Sequence, residues 1–194
     1  MTAPRPPRHR RTGRVMRELD LEAVHEASHC VVALSLGIPV ALASVERIVR
    51  DGEEEGARTD LFPTRAMIWV DRALASRVRP VPPERYALLI NNVILSWAGV
   101  VGERIVCRGA PPFWTRRPAE GSDAAIALDI ARALGVRGRR RARAFVDSFE
   151  PAARRIVVDR WSEIEAAASA LLKHGTLSGP QLRAVLERVR GRGR

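Results

Sequence analysis

The sequence feature that most restricts the fold of this chain is an apolar pattern with helical spacing over residues 16–36. Apolar side chains recur three or four residues apart, which places them on one face of a helix. They are Leu19, Ala23, Val24, Ala27, Val31, Val32 and Leu34. The Gly-Ile-Pro sequence at residues 37–39 ends the run. The pattern therefore predicts a long first helix with one face buried in a core.

This helix contains the sequence H-E-A-S-H at residues 25–29, which is an H-E-x-x-H motif. Residues four apart project from one helical face, so His25 and His29 can bind one zinc ion together. Glu26 lies about 100° further round the helix and can reach a water in the open position of the ion, as the general base of a hydrolase does. The structural alternative is a core helix in which both histidines pack against apolar neighbours and Glu26 forms an ordinary intrahelical pair. The motif favours the metal site, because a shuffled chain of this composition contains it only about once in two hundred trials.

A catalytic zinc site normally has three protein ligands, and no further histidine is well placed to be the third. His9 lies in a basic terminal stretch, and His174 closes a late helical segment. An acidic residue must then serve, and the candidates are Glu103 and Asp123. Each has a structural alternative: Glu103 could pair with a neighbouring arginine, and Asp123 could cap the helix that it begins. The residues alone leave this choice open.

The basic residues of the chain are clustered. There are 33 basic and 22 acidic residues, a formal net charge of +11. The arginine runs lie in residues 5–14, 137–143 and 188–194, and such runs can neutralise nucleic-acid phosphates. Aromatic residues do not alternate with these runs along the sequence as they do in a base-stacking surface. We therefore interpret the runs as solvated faces or tails, do not expect nucleic acid as a partner, and keep nucleic-acid association as an alternative.

Three features bear on the compartment. Cys30 and Cys107 are the only cysteines, too few for a disulfide framework, so a cytoplasmic location is expected. Residues 1–14 are rich in arginine and proline with no apolar stretch behind them, which predicts a disordered basic arm rather than a secretory signal. The most apolar window, residues 86–106, contains two asparagines and two charged residues, and this favours a buried helix over a membrane span. No membrane association is expected.

The remaining pattern predicts a mainly α (α+β) fold in which a small β-hairpin follows the first helix. The hairpin comprises a strand at residues 40–49, an acidic turn at 51–56 and a short run near 59–62. An amphipathic segment at 64–78 precedes a proline-rich break. Further helices are predicted at residues 84–106, 123–134, 139–174 as one helix or a kinked pair, and 181–190. The domain boundaries are then a basic arm at 1–14, one folded domain at 15–190 and a basic tail at 191–194.

The order of these features resembles the peptidase domain of the FtsH-type ATP-dependent zinc metalloproteases, over residues 19–189. Residues 23–29, A-V-H-E-A-S-H, are similar to the H-E-A-G-H helix of that family, with Ser28 in place of glycine. Other resembling segments are the strand at 39–49, the small-residue stretch A-G-V-V-G-E at 98–103, the G-S-D segment at 121–132 and the closing helices at 171–182.

The resemblance implies a zincin-like helical peptidase domain in which His25, His29 and Asp123 bind zinc and Glu26 is the general base. Glu103 is then structural, or it contacts a zinc ligand rather than zinc. The implied activity is that of a zinc metalloendopeptidase acting on peptide bonds in unfolded or exposed protein segments. The strand near residues 43–49 would offer an edge to which an extended substrate adds.

The chain departs from the family in one respect that affects its activity. It contains no G-x-x-x-x-G-K-[ST] phosphate loop, so the implied activity is independent of ATP in this chain. A protein or peptide substrate is the expected partner, supplied by a separate unfolding ATPase or acted on by a homo-oligomer. The alternatives are a non-catalytic, zinc-stabilised scaffold domain and an arginine-rich nucleic-acid-associated protein.

Overall fold

The computed structural model describes residues 18–46, 48–50, 53–55, 57–61, 81, 83–107, 112–114 and 121–191. Within these residues the chain is mainly helical with a small antiparallel sheet, which confirms the predicted mainly α (α+β) class. The predicted arm at 1–14, the amphipathic segment at 64–78 and the tail residues 192–194 lie outside the described residues.

The helices follow the predicted periodic segments, with extra breaks. The first, α1, spans Glu18–Ser35. The others are α2 Pro83–Ser96, α3 Ala98–Val106, α4 Asp123–Ala133, α5 Arg139–Asp147, α6 Glu150–Asp159, α7 Trp161–His174 and α8 Gly179–Gly191.

Two of the predicted helices are divided in the structure. The helix predicted at 84–106 is interrupted at Trp97, whose indole nitrogen donates to the Val146 carbonyl oxygen at 3.0 Å and whose ring stacks on Phe113. The segment predicted at 139–174 forms three helices, one of which begins with Pro151 in its first turn, where a missing backbone N–H costs nothing. The breaks lie at Trp97, at Ser148 and Phe149, and at Arg160.

The sheet is more divided than the sequence predicted. Strand β1 is Val40–Ser44, and the rest of the predicted strand at 40–49 belongs to β2, Ile48–Arg50. The predicted acidic turn at 51–56 contains β3, Glu53–Glu55, which pairs with β2 as a separate hairpin. The second predicted run forms β4, Arg58–Leu61.

Strand β1 lies at the centre of a three-stranded antiparallel sheet. The order is β4-β1-β5, where β5 is Thr176–Ser178, a strand that the sequence did not predict. Both sides of β1 are therefore paired, and the expectation that residues 43–49 offer a free edge is wrong for β1. Among the described strands of this sheet, β4 and β5 are the edges.

Helix α1 runs through the core and packs against α3, α7 and β1. Its residues Ala23, Ala27 and Val32 are fully buried, and burying a side chain the size of valine stabilises a fold by about 1.5–3 kcal/mol. The predicted buried face of the first helix is thus confirmed.

Helices α1 and α3 approach closely because one of them carries glycine at the contact. The Ser28 hydroxyl donates to the Val24 carbonyl oxygen at 2.7 Å, and a β-carbon at Gly102 would overlap the Ser28 hydroxyl oxygen. The serine that departs from the H-E-A-G-H pattern is accommodated by a glycine on the facing helix.

One helical stretch among the described residues, Arg85–Val106, has the length and composition of a membrane span, with a mean hydropathy of 1.2. Of its most apolar window, 56% is buried inside the protein.

Candidate metal centre

Helix α1 places both histidines of the H-E-x-x-H motif on one side. The Nε2 atoms of His25 and His29 lie 3.0 Å apart, and the ring centroids are separated by 4.8 Å. Two imidazole nitrogens at this spacing can bind a single ion. The alternative in which both rings pack only against apolar neighbours does not describe this arrangement.

Asp123, at the start of α4, lies beside the two histidines. It is 94 residues after His29 in the sequence. Its Oδ2 atom lies 3.1 Å from His29 Nε2 and 3.5 Å from His25 Nε2. The hydroxyl of Ser122 serves as the cap of α4 by accepting the Ala125 N–H at 3.4 Å. The Asp123 carboxylate is therefore directed at the histidines instead of capping the helix.

These three residues form a group that could hold a metal ion. One potential ligand atom from each lies within 4.8 Å of the others. Two imidazole nitrogens and one carboxylate oxygen form the type of donor set found at catalytic zinc ions. The cluster is partly buried and opens into a cavity, so an ion could reach it.

Glu103 on α3 contacts His25 at Nδ1, the ring nitrogen other than the one that faces His29. Its Oε1 atom lies 2.8 Å from His25 Nδ1. In the neutral ring, with Nδ1–H donating to this carboxylate, Nε2 has a lone pair on the side facing His29 and Asp123. The structure thus places Glu103 on the His25 ring and not within the group of potential ligand atoms.

The close packing behind His25 requires a small residue. A β-carbon at Gly99, one turn before Glu103, would overlap the imidazole ring of His25. Gly99 and Gly102 therefore allow α3 to lie against α1 at the level of the motif, and this brings Glu103 within reach of the ring.

The electrostatics of the cluster favour a positive charge. Burial lowers the pKa of His25, but the hydrogen bonds to Asp123 and Glu103 outweigh it and raise the pKa to about 10. Burial raises the pKa of Asp123, whereas the neighbouring His29 and the bonds to both rings hold it well below its usual range. Three carboxylates, including Glu26, surround the rings, and a bound cation would satisfy the same field.

Glu26 lines the same cavity and is held by a strand residue. Its side chain is only 6% exposed, and its Oε2 atom accepts a hydrogen bond from the Thr59 hydroxyl at 2.6 Å. Thr59 is a site residue that sequence reasoning missed. Neither a motif nor a local spacing marks it, because its contact with Glu26 depends on how β4 packs beside α1.

The cavity in front of the cluster has a volume of about 510 Å³. One wall is strand β4 with the preceding Ala57, and the opposite walls come from α2 and from the start of α4. Its apolar part is formed by Leu61, Leu95 and Ile126, and its polar part includes Asn92 and Ser96. His25, His29, Asp123 and Glu26 all line this cavity.

The remaining reactive side chains near the motif are less suited to metal binding. Cys30 is fully buried, and burial raises the pKa of its thiol to about 12, so it is protonated at neutral pH. Cys107 follows the end of α3, and both cysteines are free thiols.

Comparison with known proteins does not assign the chain to a family. No family model matches this sequence, and no curated protein matches it.

Proposed function

We propose that this chain is a zinc-dependent metallopeptidase in which His25, His29 and Asp123 bind the metal and Glu26 is the general base. The single observation that carries the proposal is the position of the Asp123 carboxylate, which lies 3.1 Å from a histidine 94 residues away in sequence. A chance H-E-x-x-H helix does not require a carboxylate from a distant helix within reach of the Nε2 atoms of both rings, whereas a three-ligand metal site does.

The donor set supports zinc as the metal. Three protein ligands of the histidine and carboxylate type are typical of catalytic zinc, whereas structural zinc sites usually have four protein ligands. A zinc ion bound here would supply a Lewis acid that polarises a substrate carbonyl and makes water more acidic.

The residues of the chain supply the proton transfer. Glu26 accepts a proton from the attacking water and delivers it to the amine nitrogen that leaves when the peptide bond breaks. Its position in the lining of the cavity, one residue after His25, suits this role, and the hydrogen bond from Thr59 restrains the carboxylate there. Glu103 keeps His25 in the tautomer that leaves Nε2 free.

The substrate class follows from the wall of the cavity. Strand β4 is an edge of its sheet among the described strands, and Arg58, Thr59 and Leu61 of this strand line the cavity. An extended peptide could add to this edge by main-chain hydrogen bonds and run past the metal group. Folded proteins do not offer such a strand readily, so the substrates would be unfolded or exposed protein segments.

The proposal also covers how substrate reaches the site and in which compartment. The chain itself contains no phosphate loop, so hydrolysis would be independent of ATP, and a separate unfolding ATPase or a homo-oligomer would deliver substrate. The two free thiols fit a reducing cytoplasm.

The test is to replace the proposed base while keeping the metal site. We expect Glu26→Gln to bind zinc with wild-type stoichiometry and to lose at least about 100-fold in kcat/KM on an unfolded protein substrate. Glu187→Gln, a change at an exposed position of α8, serves as the matched control and should leave the rate unchanged. The measurements are metal content by elemental analysis and hydrolysis of a labelled unfolded protein.

Two results would contradict the proposal. Unchanged hydrolysis by Glu26→Gln would remove Glu26 as the base. A zinc-loaded wild type that cleaves no unfolded chain or peptide library would support the scaffold alternative, in which the ion only stabilises the domain.

A second candidate function is binding of a nucleic acid by the arginine run on α5. Arg139, Arg140 and Arg143 line an open groove of about 620 Å³, and the Arg143 guanidinium lies 5.0 Å from the centre of the Trp114 ring. The arginine run contains no aromatic residue, but the fold places the Trp114 ring beside Arg143. Fluorescence anisotropy with a labelled single-stranded oligonucleotide tests this candidate, which requires affinity that falls steeply with salt and survives metal chelation.

A further inference from the structure

The Thr59 hydroxyl donates a short hydrogen bond to the Glu26 carboxylate. The distance from Thr59 Oγ1 to Glu26 Oε2 is 2.6 Å, in the range of a strong bond between a hydroxyl and a charged oxygen. A glutamate side chain has three rotatable bonds, and a hydrogen bond to one of its oxygens restricts the orientations that it can adopt. The contact therefore restrains the carboxylate and leaves Oε1 as the oxygen without this bond.

The Thr59 hydroxyl has two further polar neighbours on α1. Its Oγ1 atom lies 3.3 Å from the Glu26 main-chain oxygen and 3.6 Å from the sulfur of Cys30, one helical turn further along. Threonine is branched at Cβ and stiff about its first side-chain torsion, so the strand backbone fixes the direction of the hydroxyl. The position of β4 thus sets the position of the Glu26 carboxylate.

Strand β4 is also the edge on which an extended substrate would pair. Thr59 is opposite Ala43 of β1 in the antiparallel ladder, so its main chain is held on the β1 side. Arg58 and Asp60, its neighbours in the strand, form an ion pair at 3.2 Å. Substrate pairing and the positioning of Glu26 therefore depend on the same four-residue strand.

We propose that Thr59 is the positioning residue for the general base, and that through it strand β4 couples the pairing of an extended substrate to the orientation of Glu26. This inference rests on the proposed peptidase function. It adds that the protein favours substrates long enough to pair along β4, because their pairing fixes the strand that holds the base. The expected effect of substrate length is then on kcat and not only on KM.

The experiment compares Thr59→Val with Thr59→Ser in the zinc-loaded protein. Valine keeps the shape and the preference for a strand but has no hydroxyl, whereas serine keeps the hydroxyl. We expect Thr59→Val to lower kcat about 10-fold to 100-fold with KM and zinc content near the wild type, and Thr59→Ser to restore most of the rate. Lengthening a peptide substrate beyond the cavity should raise kcat in the wild type and not in Thr59→Val.

A readout without turnover is the ¹³C NMR signal of the Glu26 carboxyl carbon, assigned by its loss in Glu26→Gln. This signal should shift and broaden in Thr59→Val and stay near its wild-type position in Thr59→Ser. A broadened or displaced resonance would report a carboxylate that has lost its single orientation.

The outcomes separate the inference from the function on which it rests. An inactive wild type overturns the peptidase proposal, while the NMR comparison still decides whether Thr59 orients Glu26. An unchanged carboxyl signal, wild-type kcat in Thr59→Val, or equal defects in the valine and serine variants would each overturn the role of Thr59. Loss of zinc from Thr59→Val would also overturn it, because the residue would then act on the metal site as a whole.

Discussion

Two adjacent residues at the start of α4 divide two tasks between them. The Ser122 side chain caps the helix by accepting the Ala125 N–H, and the Asp123 carboxylate lies beside the two histidines. Both side chains are good helix caps, so the sequence alone left the role of Asp123 open. The choice is made by tertiary packing, in which α4 lies against α2 and α5, and no local pattern encodes these contacts.

The site residues that could be predicted are close together in the sequence, and the one that could not is far from its partner. His25, Glu26 and His29 could be found because they lie within five residues of one helix, where spacing fixes geometry. Thr59 could not be found, since its partner is 33 positions away and the contact requires the whole sheet. A hydroxyl residue on a short strand carries no distinguishing signal.

Asp123→Asn should weaken zinc binding by at least about 100-fold, since it removes the charge of one ligand and changing even a residue that supports a ligand costs about 10-fold to 100-fold. The affinity is measured by competition with a chromophoric zinc chelator. Asp129→Asn is the control, because Asp129 is exposed on the same helix and pairs only locally with Arg132. Equal zinc affinity of Asp123→Asn and the wild type would remove Asp123 from the site.

Among the elements, helices were easier to predict than strands. A helical pattern repeats over ten or more residues, as in α1, and survives local exceptions. Strand β5 has three residues and exists because β1 lies beside it, with the Ser44 and Thr176 hydroxyl oxygens 2.8 Å apart. Alternation over three residues is too short to be told from a turn, so the position of β1 at the centre of the sheet could not be predicted either.

Gly179→Ala should destabilise the junction between this sheet and α8. A β-carbon at Gly179 would overlap the Val40 carbonyl oxygen of β1, and a backbone atom cannot rotate away as a side chain can. Forced overlap in a packed region costs about 1–3 kcal/mol, which a urea unfolding experiment measures. Gly191→Ala, at the open end of the same helix, should change the free energy of unfolding by less than about 0.5 kcal/mol. Equal stability of the two variants would contradict this account of the junction.

On the scale of the whole molecule, a buried carboxylate on α7 binds the last helix, α8, through an ion pair. Glu163 of α7 is 3% exposed and accepts hydrogen bonds from Arg190 of α8 at 2.8 and 3.2 Å and from Arg160 at 2.9 Å. Arg190 belongs to the basic run at 188–194 and is about half exposed, as expected for a solvated run, but its guanidinium also reaches a buried partner. A basic run says nothing by itself about which of its members reaches an acidic partner in the fold.

This ionic contact predicts a pH dependence of stability. Burial raises the pKa of Glu163, but the bonds from Arg190 and Arg160 outweigh it and hold it below its ordinary value of 4.5. Because the folded pKa is depressed, the contribution is fully present above that value and is lost as the pH falls through the folded pKa. Both arginines are about half exposed, so we expect Glu163→Gln to cost only about 1 kcal/mol at neutral pH.

The measurement is urea unfolding of the wild type and Glu163→Gln between about pH 7 and pH 3. The difference between the two free energies of unfolding should shrink as the pH is lowered below 4.5. Asp159→Asn, which changes an exposed pair with Arg155, provides a control with little effect at any pH. A difference that stays constant with pH would show that Glu163 contributes by packing alone.

Positions 28 and 102 share one small volume between α1 and α3, and in this chain the serine fills it. A homologous helix with glycine at position 28 would leave room for alanine at 102, whereas here any enlargement of Gly102 has to be matched by a reduction of Ser28. Position 102 can therefore be enlarged only if position 28 is made smaller, whereas position 28 can become smaller on its own. The separation of the helices that keeps Glu103 within reach of His25 is thus maintained by two residues that take no part in the chemistry.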